Sequence, residues 1–496
     1  MPLQTIADPP AAAAWLAARG ATALSSDSRK LAPGTAFIAW PGKVHDARTH
    51  VPAALAAGSP ACLVESDGVE RLRLPDDARV AAYAGLKMAC GPIASRFLGE
   101  PSERLRVVAC TGTNGKTSSA WWIGQAMARL GRRCGVIGTL GIGELTGEGH
   151  GAAGWHSEGL TTPDPVLLQT ALRDFLAAGC EAVALEASSI GIAEERLAGT
   201  CIEVALYSNF SQDHLDYHRD MNAYWAAKER LFAWPGLRAA VVNIDDVAGF
   251  GLAGRLADSA LELWTCAQGH DARLRARAIR HEPEGVAFEV HEGADSALVR
   301  THIVGHFNVA NLLGVIGVLR AFGCPLDAAA RACTGLAPVP GRLQPVGSGK
   351  PLVVVDYAHT PDALETVLRA ARPLGDGRVV VVFGAGGDRD RDKRPLMGQV
   401  ARKLADTVVV TNDNPRSEEP IEIVEAILQG AGTDVEVDLD RRSAIESAIA
   451  GAGPGDVVVI AGKGHEQGQE IAGAVHPFDD REVAREALRA RGAARG

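Results

Sequence analysis

The sequence predicts an α/β protein of three domains, and three observations carry that expectation. At 496 residues the chain is long enough for about three domains, each burying its own core. From about residue 104 onward apolar runs of strand length alternate with helical periodicity, the pattern of a mostly parallel sheet covered on both faces. Beyond a proline- and glycine-rich stretch at 336–350, four further apolar runs each end abruptly in a polar cluster. The expected domains are 1–100, 101–338 and 339–496.

Residues 1–100 mix short apolar runs at 35–39 and 61–64 with alanine-rich helical stretches, interrupted by Asp27-Ser28-Arg29 and a loop at 41–48. The next domain should place strands at 105–110, 134–139, 181–186, 202–208 and 238–244. Its first strand runs into Thr111-Gly112-Thr113-Asn114-Gly115-Lys116-Thr117-Ser118 and then a helical pattern at 119–130. A strand, a glycine-bearing turn and a helix in that order build a phosphate cradle. Backbone N–H groups point inward, a lysine reaches the terminal phosphates, and a threonine hydroxyl meets Mg²⁺. Cys110 stands where the usual template has glycine, and a chance Gly-Lys-Thr turn is the bland alternative.

Two more strands end in polar groups, 182–185 in Glu186-Ala187-Ser188-Ser189 and 204–206 in Asn209 to His214. Both ends should lie beside the phosphate loop, where Glu186 and His214 could hold Mg²⁺ with nucleotide phosphates. A helix-capping or core role for His214 is the alternative. The pattern at 222–234 puts Tyr224, Trp225, Lys228, Leu231 and Phe232 on one helical face. Periodicity favours a lysine whose stem is buried while its ammonium reaches water. The other reading is a desolvated amine of depressed pKa, able to form a carbamate with CO₂.

The stretch 336–350 reads as a linker. After it, 352–355 ends in Asp356-Tyr357-Ala358-His359 and 379–383 in Gly386-Gly387-Asp388-Arg389-Asp390-Arg391. The run 407–410 ends in Asn412-Asp413-Asn414-Pro415-Arg416, and 457–460 in Gly462-Lys463-Gly464-His465-Glu466. Any one of these could be a solvated loop. Four in succession imply a binding rim outside the carboxyl ends of an open parallel sheet.

Composition excludes several classes. The net charge of −10 argues against general nucleic-acid binding, and no apolar run reaches the ~18 residues of a membrane span. Nine cysteines without a CxxC pair suit reduced thiols, and no secretory leader is visible, so a cytoplasmic enzyme is expected.

The loop at 111–117 resembles that of the Mur ligase family, which includes folylpolyglutamate synthetase and also lacks the first Walker glycine. Further matches follow in order along nearly the whole chain: Asp27-Ser28-Arg29, Thr161-Thr162-Pro163-Asp164, Glu186-Ala187-Ser188-Ser189 and Tyr224-x-x-Ala227-Lys228-x-x-Leu231-Phe232. Next come Gly305-His306-Phe307-Asn308-Val309-x-Asn311, Pro340-Gly341-Arg342 and the four C-terminal clusters. Asp413-Asn414-Pro415-Arg416 is similar to the signature of the branch that adds meso-2,6-diaminopimelate rather than L-lysine.

The resemblance implies a UDP-binding N-terminal α/β domain, a central P-loop ATPase-like mostly parallel sheet and a C-terminal Rossmann-like domain. It implies amide formation driven by ATP, with two Mg²⁺ ions, on UDP-N-acetylmuramoyl-L-alanyl-D-glutamate. Family matches assign Ser26, Ser28, Lys43, Val44, His45, Thr161, Thr162, Ser188, Glu194 and Arg196 to that substrate. They assign Gly112 to Ser118, His306, Asn308, Asn311, Arg342 and Asp356 to ATP. Arg389, Asp413, Asn414, Pro415, Arg416, Gly462 and Glu466 match the contacts for diaminopimelate. Lys116, Glu186, His214 and Lys228 match catalytic positions, with Thr117, Glu186, His214 and a carbamylated Lys228 as metal ligands. That match reverses the periodicity reading of Lys228. The family pattern also implies a monomer without nucleic-acid or membrane partners, whose domains close about the linker. Ile190, where many relatives carry His, and Glu194 and Ser26, where Gln and Leu are common, depart from the pattern. A P-loop phosphotransferase would share the loop but would not need the C-terminal rim. A relative acting on another amino acid is the nearer alternative.

Overall fold

The computed structural model describes residues 3–42, 45–148, 155–156, 159–282, 285–347 and 349–495, so Lys43 and Val44 lie outside the described residues. Three large sheets follow one another along the chain. The first has five parallel strands, ordered in space as Gln4–Ile6, Val80–Tyr83, Cys62–Glu65, Thr35–Ala39 and Ala23–Ser25. Helices Pro9–Ala18 and Leu86–Phe97 pack on it through Trp15, Leu16, Leu86 and Ile93.

The second sheet has ten strands. Its parallel heart contains Val204–Tyr207, Arg106–Thr111, Ala182–Glu186 and Cys134–Gly138 side by side, matching the strands expected there. Strand Arg106–Thr111 lies in the middle and shows why such strands are apolar throughout. Val108 and Cys110 face Trp121, Trp122 and Met127 on one side, while Val107 and Ala109 face Leu168, Leu172 and Phe175 on the other. An antiparallel meander, Leu274–Glu282, Gly285–Glu292 and Asp295–Thr301, extends the far edge and was not foreseen.

The third sheet places Leu352–Asp356, Val457–Ala461, Val379–Phe383 and Thr407–Val410 next to one another, all parallel. The four polar clusters therefore leave the same edge of the sheet, as their succession implied. Residues 336–350 are not simply a linker, because Gln344–Val346 pairs antiparallel with Leu352–Asp356 and forms the lateral edge of the sheet, not the carboxyl end from which the clusters leave. A small hairpin, Gly468–Ile471 with Ala474–Pro477, stands beyond the last of these strands. Among the described residues no helix is long and apolar enough to cross a membrane.

Local chemistry shifts two expected helices. The helix after the glycine turn begins at Lys116, not 119, because Gly115 at φ +88° serves as its N-cap. The helix bearing Lys228 is α-helical over Met221–Glu229 and tightens into a 3₁₀ turn over Arg230–Ala233.

The first two lobes meet through bare backbone. A Cβ built on Gly91 would stand 2.0 Å from the carbonyl oxygen of Ala198, and one on Gly199 would stand 2.6 Å from the nitrogen of Pro92. Val166, from the helix Pro165–Ala177, adds an apolar contact to the first lobe's core. Gly91→Leu should therefore cost about 1–3 kcal/mol, the usual range for overpacking a close contact. Chemical denaturation of parent and variant measures it.

Candidate active site

The loop between Thr111 and Lys116 folds as it does because two of its residues have no room for a side chain. Gly112, at φ +145°, would place a Cβ 1.9 Å from Ser208 Oγ, and Gly115 would place one 2.4 Å from Asn311 Oδ1. The neighbouring strand end pins the loop. Asn209 accepts from Thr113 N at 2.8 Å through its carbonyl and from Asn114 N at 2.9 Å through Oδ1. The hydroxyl of Thr113 meets Tyr224 at 3.1 Å. Cys110 is compatible with this loop because its side chain points into the sheet core, not into the turn. Lys116 Nζ donates back to the carbonyls of Gly112 and Thr113 at 3.0 and 2.7 Å.

Glu186 closes the mouth of the loop. Its Oε2 accepts from Thr117 Oγ1 at 2.9 Å and its Oε1 from Thr139 N at 2.7 Å. Burial pushes this carboxyl up, opposed by Lys116 and Arg342. Thr117 and Glu186 together form an oxygen pair suited to a hard cation, which takes one or two carboxylates and completes its shell with phosphates and water. Among the described residues no group of three or more His, Cys, Asp and Glu side chains has metal-holding geometry. Ser118 is buried beside Thr117.

His214 and Lys228 gather in a different way. His214, at φ +54°, occupies the N-cap position of the short helix Leu215–His218, yet its side chain makes no capping bond. The imidazole Nε2 lies 3.4 Å from Asp213 Oδ2, and burial lowers its pKa. Lys228 is 1% exposed, so its ammonium does not reach water as periodicity favoured. Its Nζ donates to the carbonyl of Gly112 at 2.7 Å and sits over the Tyr224 ring. Burial, with Lys116 nearby, drives its pKa well below the usual lysine range. Asp213 was not singled out from the sequence, although its charge acts on Lys116, Lys228 and His214 from one lobe and on His359 and Lys393 from the other.

The third lobe closes onto this loop. Asp362 Oδ2 accepts from Asn114 Nδ2 at 3.1 Å and from Ser211 Oγ at 2.7 Å, and Arg342 Nη2 donates to Thr117 Oγ1 at 3.3 Å. Asp356 accepts from the backbone of Leu343 and Ala358, while burial raises its carboxyl to about 6 against the pull of Arg342. On the near side Asn311 donates to Asn308 Oδ1 at 3.0 Å, and the ring of His306 lies 5.8 Å from that of His281.

A second group extends from Glu186 toward the first lobe. Thr162 Oγ1 donates to the Glu186 carbonyl at 2.8 Å and shares a hydrogen bond with Ser188 Oγ, while Arg196 donates to the Thr162 carbonyl. Thr161 meets Thr139 at 3.0 Å, and Ser26 reaches Asp164. Glu194 pairs with Lys87 of the first lobe and accepts from Tyr217. Ser28 opens a 3₁₀ turn capped by Asp27, and His45 is exposed.

The rim of the third sheet is equally connected. Asn414 Nδ2 donates to Glu466 Oε2 at 2.8 Å, and Lys463, buried and unassigned by the sequence reading, donates to Asn414 Oδ1 and the same Glu466 oxygen. Asp413 lies against Gly462, where a Cβ would be 2.3 Å from its Oδ2. Arg416, at φ +55°, donates to the Gly387 carbonyl at 2.7 Å and pairs with Glu470 at 3.3 Å. The backbone of Pro415 closes on Gly387, and Arg389 is exposed beside Gly386. Tyr357 joins this rim to the loop, with the Arg342 guanidinium over its ring and His465 at 5.2 Å.

Residues 110–319 match the Mur ligase middle domain, and 341–464 match the Mur ligase glutamate ligase domain. The chain is 52% identical over 491 residues to UDP-N-acetylmuramoyl-L-alanyl-D-glutamate–2,6-diaminopimelate ligase of Acidovorax sp. (strain JS42), covering 96% of each. The enzyme of that name from Ectopseudomonas mendocina (strain ymp) is 46% identical over 472 residues, with 94% of this chain and 95% of that one covered. A solved structure of a ligase of the same name superposes with a TM-score of 0.67 at 37% identity, covering 95% of both chains.

Asp356 supplies a test of the site's electrostatics. Its carboxyl titrates at about 6 when folded and near the ordinary aspartate value when unfolded. The native state then binds more protons than the unfolded state between those values, and stability falls as pH rises through that window. Asp356→Asn removes this penalty, so between pH 4 and pH 8 the variant's stability relative to the parent should improve by about 1–3 kcal/mol. Thermal midpoints across that range measure the change.

Proposed function

The chain belongs to the Mur ligase family, and on that premise we propose that it is an ATP-dependent ligase joining meso-2,6-diaminopimelate to UDP-N-acetylmuramoyl-L-alanyl-D-glutamate through an acyl phosphate. The observation that carries this reading is the contact of Arg342 with Thr117. It brings a phosphate-type loop and the Asp413-Asn414-Pro415-Arg416 rim to the two sides of one cleft. We read 1–100 as the UDP-sugar domain, 101–338 as the ATP domain and 339–496 as the amino-acid domain.

A carboxylate is a poor acyl donor, so the side-chain carboxylate of the D-glutamyl residue attacks the γ-phosphorus and ADP departs. The amine of diaminopimelate then adds to the acyl carbon, and phosphate leaves from the tetrahedral intermediate. Most of the acceleration comes from position and from positive charge aimed at the phosphoryl oxygens. Lys116 is stored on the carbonyls of its own loop, a short swing from the phosphates, and Arg342 approaches from the opposite lobe. Thr117 and Glu186 would hold Mg²⁺, which would supply further positive charge to those oxygens. Asn308, Asn311 and His306 would flank the adenine, and Asp356, on whose carboxyl the charge of Arg342 acts, would stand with Arg342 near the phosphates. Thr161, Thr162, Ser188, Glu194 and Arg196 run from Glu186 toward the first lobe, a path suited to the dipeptide, with Ser26, Ser28 and His45 toward the uridine.

Lys228 is the proposed site of carbamylation. Burial holds its amine well below the usual lysine range, which favours the neutral form whose nitrogen adds to CO₂ with loss of one proton, leaving a carboxylate beside Lys116 and His214. At the rim, Arg416 offers a planar fork to the distal carboxylate of diaminopimelate. Glu466 holds its partners on Oε2, which leaves Oε1 to accept the distal ammonium. Asp413, Asn414, Arg389 and Gly462 shape the same recess. Use of ATP and a UDP-sugar suits a cytoplasmic enzyme.

Phosphate release with the UDP-linked dipeptide, compared across meso-diaminopimelate, L-lysine and no amine, tests the reading. Turnover should require diaminopimelate, and turnover with lysine alone would overturn the specificity. Arg416→Lys should raise the KM for diaminopimelate about tenfold or more while the KM for ATP stays within about twofold, because lysine lacks the bidentate fork. Equal losses in both would remove Arg416 from that role.

A further inference from the structure

We propose that Arg441 and Asp480, buried beneath the rim, are a positioning pair that fixes the spacing between the 413–416 and 462–466 loops and so sets the affinity for the incoming amino acid. The inference rests on the reading of those loops as the diaminopimelate site.

Arg441 opens the helix Arg441–Gly451 after Asp440, which caps it by accepting from Ser443 N. Its guanidinium uses four donor directions. Nε and Nη2 donate to the two carboxylate oxygens of Asp480 at 2.8 and 2.7 Å, and Nη1 and Nη2 donate to the carbonyls of Asn412 and Ala461, both at 3.0 Å. Those carbonyls belong to the residues immediately before Asp413 and Gly462. The strands leading to them are not neighbours, since Val379–Phe383 runs between them. Across two strand spacings their axes lie roughly 10 Å apart, yet one guanidinium holds both ends.

Both side chains are fully buried, so they act through the loops and not on a ligand. Asp480 begins the last helix, Asp480–Arg495, which Val483 and Ala484 anchor in the core. A buried ion pair is a poor source of stability, because apolar side chains of like volume fill the same space without desolvating charge. Apolar side chains cannot present two N–H donors in a fixed plane to two carbonyls. Asp480 holds that plane. The charges of Asp413 and Glu466, from the two loops, also act on the Arg441 guanidinium.

The test uses full-length Arg441→Lys, Asp480→Asn and the paired variant R441M/D480L, in which apolar volume replaces the ion pair and preserves folding. Thermal midpoints identify the folded variants, and phosphate release gives KM for diaminopimelate and for ATP. The expected result is a rise of about tenfold or more in the KM for diaminopimelate, with the KM for ATP within about twofold, since a displacement of about 1 Å at a recognition group is costly. Arg441→Lys, which keeps one donor group, should lie between the parent and the paired variant. An unchanged KM for diaminopimelate in folded variants overturns the proposal, as does a parallel rise in both KM values. If the parent turns over a different amine, the substrate reading falls, and the same KM split measured with that amine still decides the role of the pair.

Discussion

Everything in the cleft depends on a thin polar seam between the second and third lobes. Asn114 and Ser211 share one oxygen of Asp362, and Thr117 accepts from Arg342. Each such hydrogen bond contributes about 1 kcal/mol net. Val304 and Phe307 add apolar contact with the third lobe's core, so these three hydrogen bonds align the phosphate loop with the rim within a larger interface.

The charges on either side of the seam are arranged with the same economy. Lys116, Lys228 and Arg342 bring positive charge to a place where Glu186, Asp213 and Asp356 are buried or half-buried. The loop backbone satisfies two of these groups, with Lys116 on the carbonyls of Gly112 and Thr113 and Lys228 on that of Gly112.

The strands were readable because each is a short run of buried apolar residues, such as Val379–Phe383, ended by a polar cluster. The meander at 274–301 was not, since its strands alternate arginine, glutamate and histidine with small apolar residues and leave one face wet. Periodicity exposed Lys228 as an anomaly but could not choose its fate. The deciding partner, the Gly112 carbonyl, lies 116 residues away. Asp213 was hidden for a similar reason, because its neighbours His359 and Lys393 come from another domain. Loop glycines were legible as turn formers, but the close approaches of Ser208 and Asn311 that demand them appear only in three dimensions.

The left-handed backbone at Arg416 has one more consequence. Its N–H donates to the Glu470 carbonyl, the Ala472 N–H donates back to its own carbonyl, and its side chain pairs with Glu470. A non-glycine residue at φ +55° carries strain that only its surroundings can hold in place. The Asp-Asn-Pro-Arg segment is thus half of a unit completed by the hairpin some fifty residues downstream. Transplanting those four residues into a relative with a different hairpin would carry their sequence without the backbone shape this hairpin holds. A change in the shape of either segment would have to be matched by a change in the other.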